Sequence, residues 1–533
     1  MLIFVGSALA DVPVIPLPQE VKPQEGELEL AGEVEVVLPP GGGSLVLPTL
    51  REVGLDVREG GDESRIRFVG ASDLDGDRFG PAPEGEGYLL MVRPHGIRVY
   101  AAEASGHFYG LQTLAQLVEG APRCEEGVVT LAAMDIRDEP RFGYRGFMLD
   151  ESRHFSGMEA VKRLLDGMAR LKMNRFHWHL TDSPGWRIEI KAFPKLTTVG
   201  GRGAETDVRD DAPAQYYTQD QIRGILAYAA ERHIVVIPEI DMPGHADAAV
   251  KAYPEHGGGG YLQRGSTVKW PNFTFNPARE ETLAFLDTIL AEVAGLFPEA
   301  GIIHFGGDEV HFGWHHWPEL PEVQALKERE GFTELAEVEA WFNRRMAGVI
   351  NDLGFKTGGW DEITGRDLPI DKTVIYWWRH DRRDVLGRAL ERGYPVVLCP
   401  RRPAYFDFVQ HDSHQVGRRW GGYNPLADVH VFPDCLGLDW EEASTVLGVQ
   451  ACLWTEVTVS QARRDFMTWP RLIAMAEAGW TNAGRKDFAC FEERLRPWLG
   501  WLDSRGIGYF DPFEGSEEVT DEGVAVEYLD MPE

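Results

Sequence analysis

Short apolar runs alternate with amphipathic helical segments from residue 144 onward. The runs have the composition of buried strands, and the segments between them carry apolar residues at helical spacing. There are eight runs: Tyr144–Asp150, Arg175–Leu180, Ile234–Ile240, Ile302–Gly307, Lys356–Trp360, Thr373–Trp378, Pro395–Pro400 and Val446–Trp454. The helical segments are Met158–Leu171, Thr218–Arg232, Pro277–Phe297, Glu334–Leu353 and Asp384–Arg392, followed by two more near Trp469–Trp480 and Phe488–Ser504.

Eight alternating strand and helix units predict parallel strands, and their closed arrangement is a (β/α)8 TIM barrel of the α/β class. One helix is missing from the pattern, because Arg401–Thr445 follows the seventh run without a strong helical segment. A loop of this length inside a compact domain is usually functional.

The part of the chain before the barrel reads as a small α+β domain. Its predicted strands are Glu33–Leu38, Arg65–Phe68, Gly87–Arg93 and Ile97–Ala101, and its predicted helix is Ser105–Val118. We therefore divide the chain into an apolar start (1–10), an N-terminal α+β domain (11–140), the barrel (141–505) and an acidic C-terminal tail (506–533) in which we expect partial disorder.

Composition narrows the classes of partner. The 533 residues carry a formal net charge of −32, and 43% of them are hydrophobic. This negative charge argues against nucleic acid, since a phosphate backbone is bound by basic surfaces. No apolar run is long enough to span a membrane. Five cysteines without a CxxC pair predict free buried thiols rather than disulfides or a zinc site.

The apolar start ends in Ala8-Leu9-Ala10, which is similar to a signal-peptide cleavage site. It has no basic region and is shorter than the roughly 15–30 residues of a signal peptide. We expect a cytoplasmic protein, or an exported one if a longer signal precedes this start. No heptad pattern or apolar stripe predicts an oligomer, and a homodimer is left open.

The residues that follow the eight runs carry the candidate chemistry, because active sites of such barrels lie at the C-terminal ends of the strands. In chain order they are Arg153, Asp182, Asp241, His245, Asp308, Glu309, Trp360, Trp378, Tyr405, Asp407, Trp420, Trp454 and Glu456. Carboxylates and arginines hydrogen-bond hydroxyl groups, and aromatic rings offer flat apolar walls to a sugar ring. This combination fits a glycosidase pocket. A phosphate-binding loop of the GxxxxGK[ST] or GxGxxG type is absent from the sequence.

Two features of the sequence admit more than one interpretation. Asp308-Glu309 closes an apolar run through two glycines, which favours function over a solvated acidic pair. His177 and His179 point to the same side of a strand and suit a metal pair, as in metal-dependent amidohydrolase barrels. We favour buried, hydrogen-bonded histidines because no clear further ligands complete a metal centre.

Several motifs in this order resemble glycoside hydrolase family 20, the β-N-acetylhexosaminidases. They are Tyr144-Arg145-Gly146, Ser152-Arg153-His154-Phe155, His179-Leu180-Thr181-Asp182, Gly185-Trp186-Arg187, Pro238–His245, His304–Val310 and Leu453-Trp454-Thr455-Glu456. The resemblance covers the barrel and extends to the preceding small domain.

The resemblance implies an exo-acting, retaining glycosidase that releases terminal N-acetylhexosamine from a small carbohydrate or glycoconjugate, without metal or other cofactor. The substrate's acetamido oxygen is then the nucleophile, and an oxazoline-type intermediate forms. Glu309 is the implied acid and base, Asp308 holds the acetamido N–H, and Tyr405 donates to its carbonyl. The other implied roles are hydroxyl ligands (Arg153, Asp407, Glu456), pocket walls (Trp360, Trp378, Trp454), a supporting network (Asp182, Asp241, His245) and the leaving-group side (Trp420).

Three departures from the family pattern concern the leaving-group side. Ser183-Pro184 stands where the family commonly has Asp-Gln, the segment His256–Pro271 is rich in glycine, and the loop after the seventh run is unusual. A disaccharide-releasing enzyme similar to lacto-N-biosidases and a catalytically inactive glycan-binding barrel remain as alternatives.

Overall fold

The computed structural model describes residues 12–124, 127–263, 267–419 and 422–521. Eight parallel strands form a closed barrel, which confirms the predicted fold class. Barrel strands 1 to 8 are Tyr144–Asp150, Arg175–His179, Val235–Glu239, Ile302–His304, Lys356–Trp360, Thr373–Trp377, Val396–Leu398 and Val446–Leu453. Strand 8 closes the barrel against strand 1, with Gly448 opposite Tyr144 and Leu453 opposite Leu149.

The longer helices that accompany the barrel are Met158–Arg170, Gln219–Ala230, Glu280–Leu296, Pro321–Glu330, Leu335–Asp352, Arg383–Glu391, Gln461–Thr468, Arg471–Trp480 and Phe488–Ser504. Shorter ones are Lys195–Thr198, Asp247–Ala252, Arg401–Ala404 and Leu426–Val431. Local sequence sets their ends: the Thr218 hydroxyl accepts from Gln221 N at 3.2 Å, and the Gln221 side chain accepts from Thr218 N at 2.8 Å. This reciprocal cap satisfies amides that the helix itself leaves unpaired.

The small domain contains a seven-stranded mixed sheet. Across the sheet the strands are Glu20–Leu30, Val129–Asp138, Tyr88–Arg93, Gly96–Ala101, Ile66–Gly70, Val34–Val37 and Val57–Glu59. The four predicted strands are present, and the sequence missed the other three. The predicted helix extends over Ala104–Gly120 and is buried without interruption from Gly106 to Val118. Burial all round a helix is typical of one enclosed by several elements.

Asp138, at the end of a strand of the small domain, ties that domain to the barrel. Its carboxylate accepts from Lys172 Nζ at 3.0 Å, from Trp480 Nε1 at 2.8 Å and from the Tyr88 hydroxyl at 2.5 Å. The side chains of Lys172 and Asp138 are both fully buried. Each charge therefore depends on the other for its solvation.

A strand pair that the sequence did not predict and the first part of the predicted acidic tail both have defined positions in the structure. Gly257–Gln263 and Thr267–Phe275 form an antiparallel pair, which packs beside the 3-10 segment Val310–Glu319. Residues 506–521 of the predicted acidic tail pack on the barrel, where Phe510 lies 4.8 Å from the ring of His414. Residues 1–10 and 522–533 lie outside the described residues. Among the described helices, none is both long enough and apolar enough to cross a membrane.

We predict that Asp138→Ala lowers the free energy of unfolding by about 3–5 kcal/mol, because it leaves the buried Lys172 ammonium without its counter-ion. Chemical denaturation of both proteins measures this difference. Glu139→Ala, which removes an exposed neighbouring carboxylate, is the control and should leave stability unchanged. Equal stability of the two variants would show that Lys172 finds other solvation.

Candidate active site

A small open cleft lies at the C-terminal ends of the barrel strands. Its lining residues are Arg153, His245, Asp308, Glu309, Trp360, Trp378, Tyr405, Arg418, Trp454 and Glu456. All but Arg418 belong to the set predicted from sequence. Asp182, Asp241 and Asp407 lie behind this lining and are at most 2% exposed. Trp420 lies outside the described residues.

The backbone after strand 4 directs two adjacent carboxylates into the cleft. Gly306 and Gly307 both have positive φ, and a Cβ at Gly306 would collide with the carboxylate of Asp241. Glu309 also adopts a left-handed conformation, with φ at 53°. Such a conformation is uncommon outside glycine and is found at functional sites. The Glu309 side chain is 36% exposed and that of Asp308 is 12% exposed.

Asp182 is the centre of the charge network beside these carboxylates. It contacts Arg153 Nη1 at 2.7 Å, His179 Nε2 at 2.9 Å and His245 Nδ1 at 3.0 Å, and accepts from Ser183 N at 2.6 Å. Burial alone would raise the pKa of Asp182, but the guanidinium of Arg153 and the ring of His245 outweigh it and hold that pKa well below the usual range. Asp182 is therefore ionised throughout the neutral range.

His245 joins this network to the catalytic candidates. Its Nε2 lies 3.5 Å from Asp308 Oδ2 and 3.6 Å from Glu309 Oε2. Burial lowers the pKa of His245, yet the charges of Asp182 and Asp308 outweigh burial and raise that pKa to about 9. At neutral pH the ring is a cation that faces both carboxyl groups.

Asp308, which lines the cleft, forms a second carboxylate pair with Asp241, which lies behind the lining. Ligand atoms of Asp241, His245 and Asp308 all lie within 4.8 Å of one another. Burial is the main cause that raises the pKa of Asp308 to about 6; the cation of His245 opposes it, and the charge of Glu309 adds to it. Burial and the neighbouring Asp308 raise the pKa of Asp241 well above its usual value. Two buried carboxylates this close do not both ionise readily.

One oxygen of Asp308 is free to bind a ligand. Within the described part of the chain, Asp308 Oδ1 is buried and has no hydrogen-bond partner. A buried carboxylate oxygen without a donor is unfavourable, and a ligand N–H at this position would satisfy it.

The far side of the cleft holds alternating charges. Arg418 Nε lies 2.9 Å from Asp407 Oδ2, and its Nη2 pairs with Glu456 Oε1, which is 4.0 Å from Arg153 Nη2. Burial raises the pKa of Asp407 to about 7, although Arg418 opposes it. The Asp407 carboxylate is fully buried and lies behind Arg418. The sequence had placed Asp407 directly on the sugar hydroxyls, and that role stays a prediction.

Three indoles and one phenol form the walls. Trp360 Nε1 donates to Glu239 Oε1 at 2.8 Å, and Trp378 Nε1 donates to Glu362 Oε2 at 2.9 Å. The rings of Trp378 and Tyr405 are 9° from parallel, with centroids 6.3 Å apart. The two hydrogen bonds fix the planes of Trp360 and Trp378, so these apolar walls are formed before a ligand arrives.

The histidine pair of strand 2 contacts a buried carboxylate. His177 Nε2 and His179 Nδ1 lie 3.0 and 2.7 Å from Glu239 Oε2, and His304 Nδ1 lies 3.0 Å from Glu239 Oε1. His177, Glu239 and His304 are near enough to one another to hold a metal ion. His179 instead contacts a carboxylate through each ring nitrogen, and a ring held between Glu239 and Asp182 is a donor rather than a ligand. Buried, hydrogen-bonded histidines are thus the arrangement observed; the absence of a metal stays a prediction.

Sequence reasoning missed three residues that shape the cleft. Glu239 lies within the family motif Pro238–His245, and Glu362 follows Trp360 by two positions. Both are therefore close in sequence to predicted site residues. Arg418 belongs to the loop after strand 7 and to no motif. Only the folded loop brings it between Asp407 and Glu456.

Comparisons with known proteins agree with this geometry. The model of the glycosyl hydrolase family 20 catalytic domain matches residues 142–483, and that of domain 2 of the same family matches residues 11–139. A β-hexosaminidase of Porphyromonas gingivalis is 36% identical over 80% of this chain and 55% of its own length. A β-hexosaminidase of Vibrio furnissii is 34% identical over 88% of this chain and 77% of its own length. The chain thus spans little more than half of the first of these relatives.

Solved structures show the same likeness. An exo-β-N-acetylglucosaminidase of Vibrio harveyi in complex with N-acetylglucosamine superposes with a TM-score of 0.84 at 30% identity, covering 94% of this chain and 79% of that one. A β-N-acetylhexosaminidase of Bacteroides fragilis superposes with a TM-score of 0.78 at 30% identity, covering 93% and 96%. With both family models matched along the chain and the expected carboxylates at the strand ends, this protein belongs to glycosyl hydrolase family 20.

Proposed function

We propose that the protein is an exo-acting β-N-acetylhexosaminidase that hydrolyses terminal β-linked N-acetylhexosamine with retention of configuration. The observation that carries this proposal is the buried, unpartnered Asp308 Oδ1 beside the more exposed Glu309 carboxyl. One oxygen is placed to take an acetamido N–H, and the other group reaches the glycosidic oxygen. The Vibrio harveyi neighbour with bound N-acetylglucosamine supports this reading.

The first step forms a bond between the acetamido oxygen and the anomeric carbon while the bond to the leaving oxygen breaks. Glu309 gives its proton to that oxygen, and the substrate becomes an oxazolinium ion. In the second step Glu309 takes a proton from water, the water oxygen attacks the anomeric carbon, and the ring of the intermediate opens. Two inversions give net retention, and no carboxylate of the protein bonds to the sugar.

Asp308 and His245 have separate electrostatic roles in this mechanism. Ionised Asp308 accepts the acetamido N–H and stabilises the positive charge that develops on the former acetamido group. The Tyr405 hydroxyl donates a hydrogen bond to the acetamido oxygen and thereby orients that oxygen. The His245 cation lies 3.5 Å from Asp308 Oδ2 and 3.6 Å from Glu309 Oε2, and it favours the ionised form of Asp308.

The terminal sugar is bound by the charged end of the cleft. Arg153 and Glu456 face the cleft and bind hydroxyl groups, with Asp407 reinforcing them from behind Arg418. Trp360, Trp378 and Trp454 enclose the ring and the acetamido methyl. Because ion pairs close this end, the pocket favours one terminal residue over the disaccharide of the lacto-N-biosidase alternative. The Trp420 role, a homodimer and the cellular location stay predictions.

The first test compares hydrolysis of an aryl β-N-acetylglucosaminide with the matching aryl β-glucoside. We expect activity on the first alone, because the second lacks the internal nucleophile. Comparable rates on both would contradict assisted catalysis and point to a protein nucleophile. Inactivity on both would favour the disaccharide-releasing or glycan-binding alternative, which an aryl lacto-N-bioside and glycan-binding assays then separate.

We predict that Glu309→Gln lowers kcat by about 10²–10⁴ on substrates with poor leaving groups, the usual contribution of general acid catalysis. The loss should shrink for an aryl leaving group that needs no proton in the first step. Glu319→Gln, a change at an exposed glutamate of the following segment, is the matched control. Equal rates for the two variants would remove Glu309 from the mechanism.

The pH dependence of kcat/KM should report the ionisation of Asp308. Its pKa is raised to about 6, and the mechanism needs its ionised form, so we expect kcat/KM to fall as the pH drops below about 6. Asp308→Asn should retain the fold, lose most activity and lack this acidic limb. A wild-type limb near pH 4 instead would mean that Asp308 acts with an ordinary carboxyl pKa.

A further inference from the structure

Residues 510–521, here named the clasp, lie beyond the part of the chain that the catalytic-domain model matches. They contact two loops of the cleft, one after strand 7 and one after strand 8. We propose that the clasp positions Arg418 and Glu456 for binding of the terminal sugar. This proposal rests on the proposed function and names a new set of positioning residues for it.

Glu518 holds the loop after strand 7. Its two carboxylate oxygens accept from Gln415 N at 2.6 Å and from Val416 N at 3.0 Å. The Glu518 side chain is 13% exposed and also pairs with the fully buried Arg463 at 3.2 Å. Arg463 in turn donates to the carbonyl oxygens of Val416 and Val519. A charged acceptor on backbone amides and a buried guanidinium on backbone carbonyls together fix this loop at Val416.

Asp521 holds the loop after strand 8. Its Oδ2 accepts from Val459 N at 2.7 Å and from Ser460 N at 3.0 Å. Ser460 is also the N-cap of helix Gln461–Thr468, where its side chain accepts from Arg463 N at 3.1 Å. The carboxylate therefore lies at a helix N-terminus, where negative charge is favourable. Asp521 thus anchors the segment that begins at Glu456.

The anchored backbone leads directly to the cleft. Arg418 lies two positions beyond Val416; its N donates to Asp407 O at 3.0 Å, and its carbonyl accepts from Val409 N at 3.1 Å. Its side chain then joins Asp407 of the loop after strand 7 to Glu456 of the loop after strand 8. Phe510 adds an apolar contact, because its ring packs edge-on against His414 of the same loop. The clasp thereby fixes the separation of the two loops whose side chains Arg418 pairs.

The consequence is a division of roles within the cleft. Glu309 and Asp308 follow strand 4, on the other side of the barrel from strands 7 and 8, and the clasp hydrogen bonds described above end on the loops after strands 7 and 8. Loss of the clasp contacts should weaken sugar binding while leaving the chemical step in place.

The test uses the full chain with Glu518→Ala and Asp521→Ala combined. We expect a KM about 10-fold higher on an aryl β-N-acetylglucosaminide and kcat within about twofold. The Tm should fall moderately, because the buried Arg463 loses its counter-ions. Hydrogen exchange should increase in residues 407–419 and 455–461 only. Glu517→Ala is the control, since Glu517 is the exposed carboxylate next to Glu518. Glu518→Gln keeps one accepting oxygen and should restore most of the KM.

A second arm tests the route through Arg418. In an Arg418→Ala background the clasp substitutions should add little to KM, because coupled residues give non-additive effects. Three outcomes would overturn the proposal. The effects of Arg418→Ala and of the clasp substitutions on KM could be fully additive, or the clasp variant could have the same KM as Glu517→Ala. The clasp variant could also lose kcat and show faster hydrogen exchange throughout the barrel. If the wild-type protein shows no hexosaminidase activity, the proposed function fails, and local exchange in the two loops still decides whether the clasp holds them.

Discussion

Asp182 holds three cationic side chains around one buried carboxylate, and the cleft is built on that contact. Arg153, His179 and His245 each come from a different segment of the barrel rim, and all three approach within 3.0 Å of Asp182. A buried charge of either sign is costly alone, so the loops can close only in the arrangement that pairs them. The same contacts that stabilise the rim therefore set the position of His245 beside Asp308 and Glu309.

Anionic and cationic side chains alternate along this network, so each charge affects the pKa of the next. Glu239 and Asp182 flank His179, and the burial that would lower the pKa of His179 is outweighed by both anions, so that pKa is raised well above its usual value. On the next side of Asp182 the cation of His245 faces Asp308. Because Asp241 lies close to Asp308, a proton remains near that pair in the empty cleft. An arriving ligand N–H and a developing positive charge favour the ionised form of Asp308.

The barrel was predictable because its strands are buried on both faces and therefore read as apolar runs. Strand 1 is buried at all seven positions, which matches the predicted Tyr144–Asp150. Glu20–Leu30 was missed because it is a polar edge strand with most side chains exposed, and it contains a proline and a glycine. Gly257–Gln263 was missed because its four glycines carry no alternating pattern. Tertiary pairing, not local preference, determines both.

Site residues, like strands, could be predicted from sequence only where local sequence determines their position. Residues at strand ends, such as Asp308 and Trp360, could be placed from sequence because the barrel fixes where each strand delivers its side chains. Arg418 could not, since its position depends on a loop whose path is set by contacts from residues about 100 positions away, such as Glu518 to Val416.

The two sides of the cleft also differ in what fixes their side chains: local backbone conformation on one side and long-range contacts on the other. Glu309 is aimed by its own left-handed φ and by two glycines that pack against Asp241 and Ile363, so its orientation is fixed within strand 4 and its immediate neighbours. The loops that carry Arg418 and Glu456 are held instead by long-range hydrogen bonds from Glu518 and Asp521. Under the proposed function, the acid is therefore positioned by its local backbone, whereas two of the groups around the sugar depend on contacts from a distant part of the chain.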